Sequence, residues 1–148
     1  MPKRPRSVTI FSMLVLLLGS VLNLARAIWA FRQANALPQV PLSTSMPMAW
    51  LAGMSLVWAI VFALCSFGLW GMRPWGRMGT LIAVTLYHGM IWVNHILFDR
   101  SQYAKQEWPF ALLHTLVVLV VVWVFLNWPS IRRLFSAREM TELTGEPE

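Results

Sequence analysis

Four apolar runs, at about 8–31, 48–72, 78–98 and 108–128, constrain this chain more than any other feature. A helix needs about 20 mostly apolar residues to cross a bilayer, and each run reaches that length. None alternates with the period of two expected of a membrane barrel strand. The segment from Val117 to Val122 is β-branched apart from Leu119, yet it sits inside a run too long for a strand, so it is read as helix. The expected architecture is all-α: a single integral membrane domain over residues 1–148, a four-transmembrane-helix bundle with a tail at 130–148.

The composition agrees. Of 148 residues, 57% are hydrophobic and 12% charged, about half the charge of a soluble domain. That excludes a water-soluble enzyme, and the apolar content excludes a disordered chain. A single cysteine, Cys65, rules out an intrachain disulfide or a multi-cysteine metal site.

Proline and tryptophan mark the ends of the runs. Pro38, Pro41 and Pro47 separate the first two, Pro74 follows Gly71, and Pro129 closes the fourth. Pro109 is expected at the first turn of the fourth helix, where proline is tolerated. Trp29, Trp50, Trp70, Trp75, Trp108 and Trp128 fall near run ends, where indole rings anchor at the headgroup level. Trp58, Trp92 and Trp123 lie deeper.

Positive charge gives an orientation. Lys3, Arg4, Arg6, Arg73, Arg77, Arg132, Arg133 and Arg138 fall on one side, against Arg32, Arg100 and Lys105 on the other. Both termini are therefore expected in the cytoplasm. The net charge of +6 is then a topology signal that needs no nucleic acid. Lys3-Arg4-Pro5-Arg6, an apolar stretch and Ala25-Arg26-Ala27 also imitate a secretory signal, although that stretch exceeds the usual signal core. Cleavage there would leave three helices.

The tail places Ile131, Leu134 and Phe135 on one helical face and Arg132 and Arg133 on another, a pattern suited to the membrane interface. Beyond Glu139 it turns acidic and is expected to fray. The spacings between Asn23 and Asn94 and between Pro47 and Pro109 differ, so no internal repeat is supported.

Polar residues inside spanning helices are costly and each needs a reason. Ser20, Asn23 and Arg26 lie in the first run, Ser55, Cys65 and Ser66 in the second, Thr85, His88, Asn94 and His95 in the third, and His114 and Thr115 in the fourth. At 1.5 Å per residue, Asn23 is about 12 Å below the outer end, Arg26 about 8 Å, His95 about 5 Å and His114 about 9 Å. His88 is near the midplane. The candidate site is thus an outer-leaflet cluster of Asn23, Arg26, His88, Asn94, His95 and His114. Thr85, His88, Trp92 and His95 share one stripe. Arg26 can snorkel toward Asp99.

Three readings of this cluster differ in consequence. In the plainest, the groups hydrogen-bond across helices and fix packing. In the second, they line a pocket for a lipid, quinone or other amphipathic ligand. In the third, His114 and His88 or His95 hold a b-type haem, although no second histidine pair completes a transmembrane electron path. No metal-ligand spacing, nucleophile elbow, phosphate loop or C-x-x-C is present, so no catalytic residue and no resident metal are expected. The expected role is a non-enzymatic accessory or structural protein, with the bilayer and a membrane protein as its partners.

The stretch Gly68-Leu69-Trp70-Gly71-Met72-Arg73-Pro74-Trp75-Gly76-Arg77 resembles a cytoplasmic hairpin turn in small bacterial four-helix membrane proteins of unassigned function. Asp99 to Tyr103 and Trp108 to Leu112 are similar to the same group. The resemblance implies a fold and a compartment, and it brings no activity or site residue.

Overall fold

The computed structural model describes residues 5–36, 48–98 and 102–144, with side chains for 5–35, 48–97 and 108–136. Every element among them is helical. The order is α1 (Arg6–Leu14), a π-helical stretch (Val15–Val21), α2 (Leu22–Ala36), α3 (Met48–Trp70), α4 (Pro74–Phe98), α5 (Gln102–Asn127) and α6 (Pro129–Thr144). Four helical segments are long and apolar enough to cross a membrane: Arg6–Asn35, Met48–Trp70, Pro74–Leu97 and Trp108–Asn127. Large apolar side chains such as Leu17, Phe31, Leu64, Phe67, Ile96 and Phe110 point outward. In water this surface would drive association; in lipid it is the solvated face.

The first span and α2 pack on α3, α3 on α4, and α4 on α5, while α6 turns back onto α4 and α5. The start of α1 meets the end of α5, where Phe11 stacks on Phe125 with ring centres 4.4 Å apart. A core of Val8, Leu69, Met72, Leu126, Ile131 and Phe135 closes this terminal end. The opposite, far end holds the polar cluster.

The π-helical stretch widens the first span in mid-course. Gly19 lies within it, and a Cβ there would stand 2.6 Å from the Phe62 ring, so glycine lets α3 come close. One turn earlier, Ser12 and Ser66 cross-link the first two spans. Ser12 Oγ donates to the Ser66 carbonyl at 2.9 Å and Ser66 Oγ to the Ser12 carbonyl at 2.8 Å. Both are buried.

The α3–α4 turn is set by its termination. Arg73 N–H donates to Gly68 O and Met72 N–H to Leu69 O, each at 2.9 Å, the paired bonds of a Schellman ending. Met72 takes the left-handed position at φ 53°. A side chain there costs about 1–2 kcal/mol, and burial of Met72 in the terminal core offsets it. Gly71 is the residue before. Pro74 then opens α4. The two helices touch where Gly76 meets Gly68; a Cβ on Gly76 would overlap the Gly68 carbonyl carbon and stand 2.6 Å from Leu69 N.

Several expected boundaries move. The third helix starts at Pro74 and the fourth at Gln102, because helical geometry runs on into polar residues that hydropathy excludes. Pro109 consequently lies inside α5, past its first turn. Its missing N–H falls near the expected membrane boundary, where water can pair with the freed carbonyl. The tail stays helical to Thr144, with Ile131 and Phe135 buried and Arg132 and Arg133 exposed. The signal-like Ala25-Arg26-Ala27 lies within α2, where Ala27 and Ala30 are buried. Lys3, Arg4, Pro38, Pro41, Pro47, Asp99 and Arg100, and the side chains of Tyr103, Lys105, Glu107 and Arg138, lie outside the described residues.

Candidate functional site

The stripe on α4 faces α5, and its hydrogen bonds show how the two helices are joined. Thr85 Oγ1 donates to Leu81 O at 2.8 Å and accepts the Trp123 indole N–H at 3.3 Å. About two turns onward, the Trp92 indole N–H donates to Thr115 Oγ1 at 3.2 Å. The two indole bonds run in opposite directions, one from each helix. Indoles are large enough to fill the gap and polar enough to bond across it.

Between them lies His88. It is 7% exposed, and its Nδ1 is 2.9 Å from the Val84 carbonyl. A carbonyl only accepts, so Nδ1 carries the proton and Nε2 is left as the acceptor. His114 on α5 faces it, with ring centres 6.4 Å apart and planes inclined by 40°. Unlike His88, His114 is exposed.

Asn23 reaches the same layer from the first span. It is buried, donates from Nδ2 to Gly19 O at 2.7 Å, and receives the Tyr87 hydroxyl at 3.4 Å. The Tyr87 ring is edge-on to Trp58 and Phe62 at 5.3 Å each and to His88 at 5.5 Å. The Trp58 indole in turn donates to Met90 Sδ at 3.1 Å. Hydroxyl, amide and imidazole thus sit behind one aromatic wall.

Of the six candidate residues, Asn23, His88 and His114 are drawn into one layer, with Tyr87 as the link. Asn94 and His95 are half-buried on α4 toward the far end, and His95 lies 5.8 Å from the Trp92 ring. Arg26 is exposed on α2, apart from the histidine pair, and its expected partner Asp99 is outside the described residues. Among the described residues no group of three or more His, Cys, Asp or Glu is placed to hold a metal ion. The pair His88–His114 is the place a two-histidine cofactor would use, and haem ligation asks for no third protein ligand. Cys65 is free and buried in α3, where a small apolar role suits it.

Two contributors fall outside the expected polar inventory. Tyr87 reads as an ordinary aromatic in an apolar run, and its neighbour His88 draws the attention. Ser12 lies in the first half of the first span. Its role depends on Ser66 standing opposite it on α3, which no local pattern encodes. Trp108 adds a further feature: its indole nitrogen is buried with no hydrogen-bond partner, while its ring stands edge-on to Trp92 at 6.2 Å.

Fold and polar layer together define a multi-pass α-helical membrane protein. No family, curated protein or solved structure matches the chain.

Proposed function

We propose that this protein is a small non-enzymatic accessory subunit of a bacterial cytoplasmic membrane, a four-helix bundle with both termini in the cytoplasm. One observation carries this reading: most of the polar groups placed within the spans bond to other parts of the helices. Ser12 with Ser66, Asn23 with Tyr87, Trp92 with Thr115 and Trp123 with Thr85 each join two helices. Groups bonded in this way hold a scaffold together and leave little for chemistry. The orientation is supported by Arg6, Arg73, Arg77, Arg132 and Arg133 gathering at the terminal end.

The fourth span supplies the face for a partner. It packs on α4 and α6, and Phe110, Leu113, Val117, Val120 and Val124 are exposed along it. A photo-crosslinking residue at Leu113, in the native membrane, should trap one discrete membrane protein. Adducts with lipid alone would remove the accessory role. Reporter fusions after Arg32 and Lys105 should report the periplasm, and cytoplasmic activity at either would overturn the orientation.

A second reading is favoured by Trp108. An indole N–H buried without a partner is costly, and an amphipathic ligand with a carbonyl acceptor, a quinone or a lipid ester, would satisfy it. Trp108→Phe should then abolish thermal stabilisation by added menaquinone or ubiquinone. Equal shifts in wild type and variant would exclude this ligand site.

A further inference from the structure

At the terminal end, a groove of about 400 Å³ runs between α4, the end of α5 and the start of α6. Its mouth carries Arg77, Asn127 and Arg132, and its floor is built from Leu81, Ile82 and Leu86 with the Trp123 ring. Arg77 to Leu86 is nine residue steps of α4, so the groove extends about 13 Å along the helix. Among the described residues no acidic side chain lines it. Two guanidinium groups and an amide over an apolar floor are the complement of one particular molecule: an anionic head on a hydrocarbon tail.

The state of Arg77 points the same way. Its Nη1 is buried and has no hydrogen-bond partner. Its Nη2 reaches only the Met78 sulfur at 3.6 Å, a weak acceptor. A guanidinium presents five donors in a rigid fork and pairs best with phosphate or carboxylate oxygens. Here that fork is held beside the groove by the α3–α4 turn, and among the described residues no protein oxygen accepts from it.

We propose that this groove binds an anionic phospholipid. Arg77 and Arg132 take the phosphate oxygens, Asn127 donates at the head, and an acyl chain lies over Leu81, Ile82 and Leu86 beneath Trp123. Basic pockets between membrane helices recognise anionic lipid heads in this manner. The proposal asks only that the chain sit in a bilayer. It is independent of the orientation and of the far-end cluster.

The test titrates the full-length protein, purified in neutral detergent, with dioleoyl-phosphatidylglycerol or dioleoyl-phosphatidylcholine and counts bound lipid by native mass spectrometry. Phosphatidylglycerol should bind preferentially, and Arg77→Gln with Arg132→Gln should weaken it by tenfold or more, at roughly tenfold per 1.4 kcal/mol and about 1 kcal/mol per basic residue. Arg132→Gln alone alters an exposed side chain and should weaken it several-fold, which keeps the test decisive if the double variant does not fold. Arg6→Gln with Arg133→Gln removes equal charge away from the groove and should change binding less than twofold. Equal binding of the two lipids, equal losses in both double variants, or full competition by inorganic phosphate would each overturn the proposal.

Discussion

Ser12 and Ser66, 54 positions apart in sequence, exchange hydroxyl-to-carbonyl hydrogen bonds at 2.9 and 2.8 Å, with their oxygens 3.1 Å from each other. Such a pair fixes the height at which the first two spans meet. Each polar bond between membrane helices contributes about 0.6 kcal/mol.

Ser12→Ala and Ser66→Ala should therefore each lower stability by roughly 0.5–1 kcal/mol, and the double variant by less than their sum. Reversible unfolding in detergent, arranged as a double-mutant cycle, measures it. Strict additivity would show that the two hydroxyls act separately.

Glycine substitutions should divide sharply. Gly76→Ala drives a methyl into main-chain atoms of Gly68 and Leu69, which cannot step aside, and should cost at least 1–3 kcal/mol, the usual range for overpacking. Gly19→Ala meets Cβ and Cγ of buried Phe62, the root of that side chain, and should also cost about 1–3 kcal/mol. Gly53→Ala and Gly89→Ala meet nothing within 4 Å and should leave the melting temperature unchanged or slightly raised. A harmless Gly76→Ala would mean that the two helices are further apart at their turn.

In the far-end layer, Asn23→Ala should be more damaging than Tyr87→Phe. The former removes a short bond to Gly19 O and the acceptor of Tyr87; the latter removes only the 3.4 Å contact. Thermal unfolding of both variants checks the order, and a larger loss for Tyr87→Phe would contradict it.

The two opposed indole bonds predict the behaviour of α5. Thr85→Val with Thr115→Val keeps side-chain volume and removes both acceptors. Hydrogen exchange at the amides of α5 should rise while that of α3 stays the same, since α3 is held by the serine pair and the Gly68–Gly76 contact. Uniform change across all spans would point to global destabilisation instead.

How much of this was legible in the sequence follows from what each signal measures. Length and hydropathy report immersion in lipid, and so they found all four spans while placing the start of the fourth at Trp108. The helix there begins at Gln102, in residues too polar to register. The seven-residue spacing of His88 and His95 found a real stripe, because α4 is regular and its period carries over to the structure. The meeting of His88 with His114 and the bond from Tyr87 to Asn23 depended on the relative height of separate helices, which no local pattern encodes. Gly76 was hidden for another reason. It reads as part of a turn, whereas it belongs to the first helical turn of α4.

The widened stretch from Val15 to Val21 carries a consequence for how this protein tolerates change. A π turn spends one residue more than an α turn over the same hydrogen-bonded path, so the first span holds a spare residue in mid-membrane. Losing one position there would let the helix relax to ordinary winding, with Ser12 still on Ser66 and the far half keeping its face toward α3. Elsewhere in the spans a deletion has no such slack to consume. The first span is in this sense a helix with adjustable length, able to lose a residue at one place while its register against α3 is kept on either side.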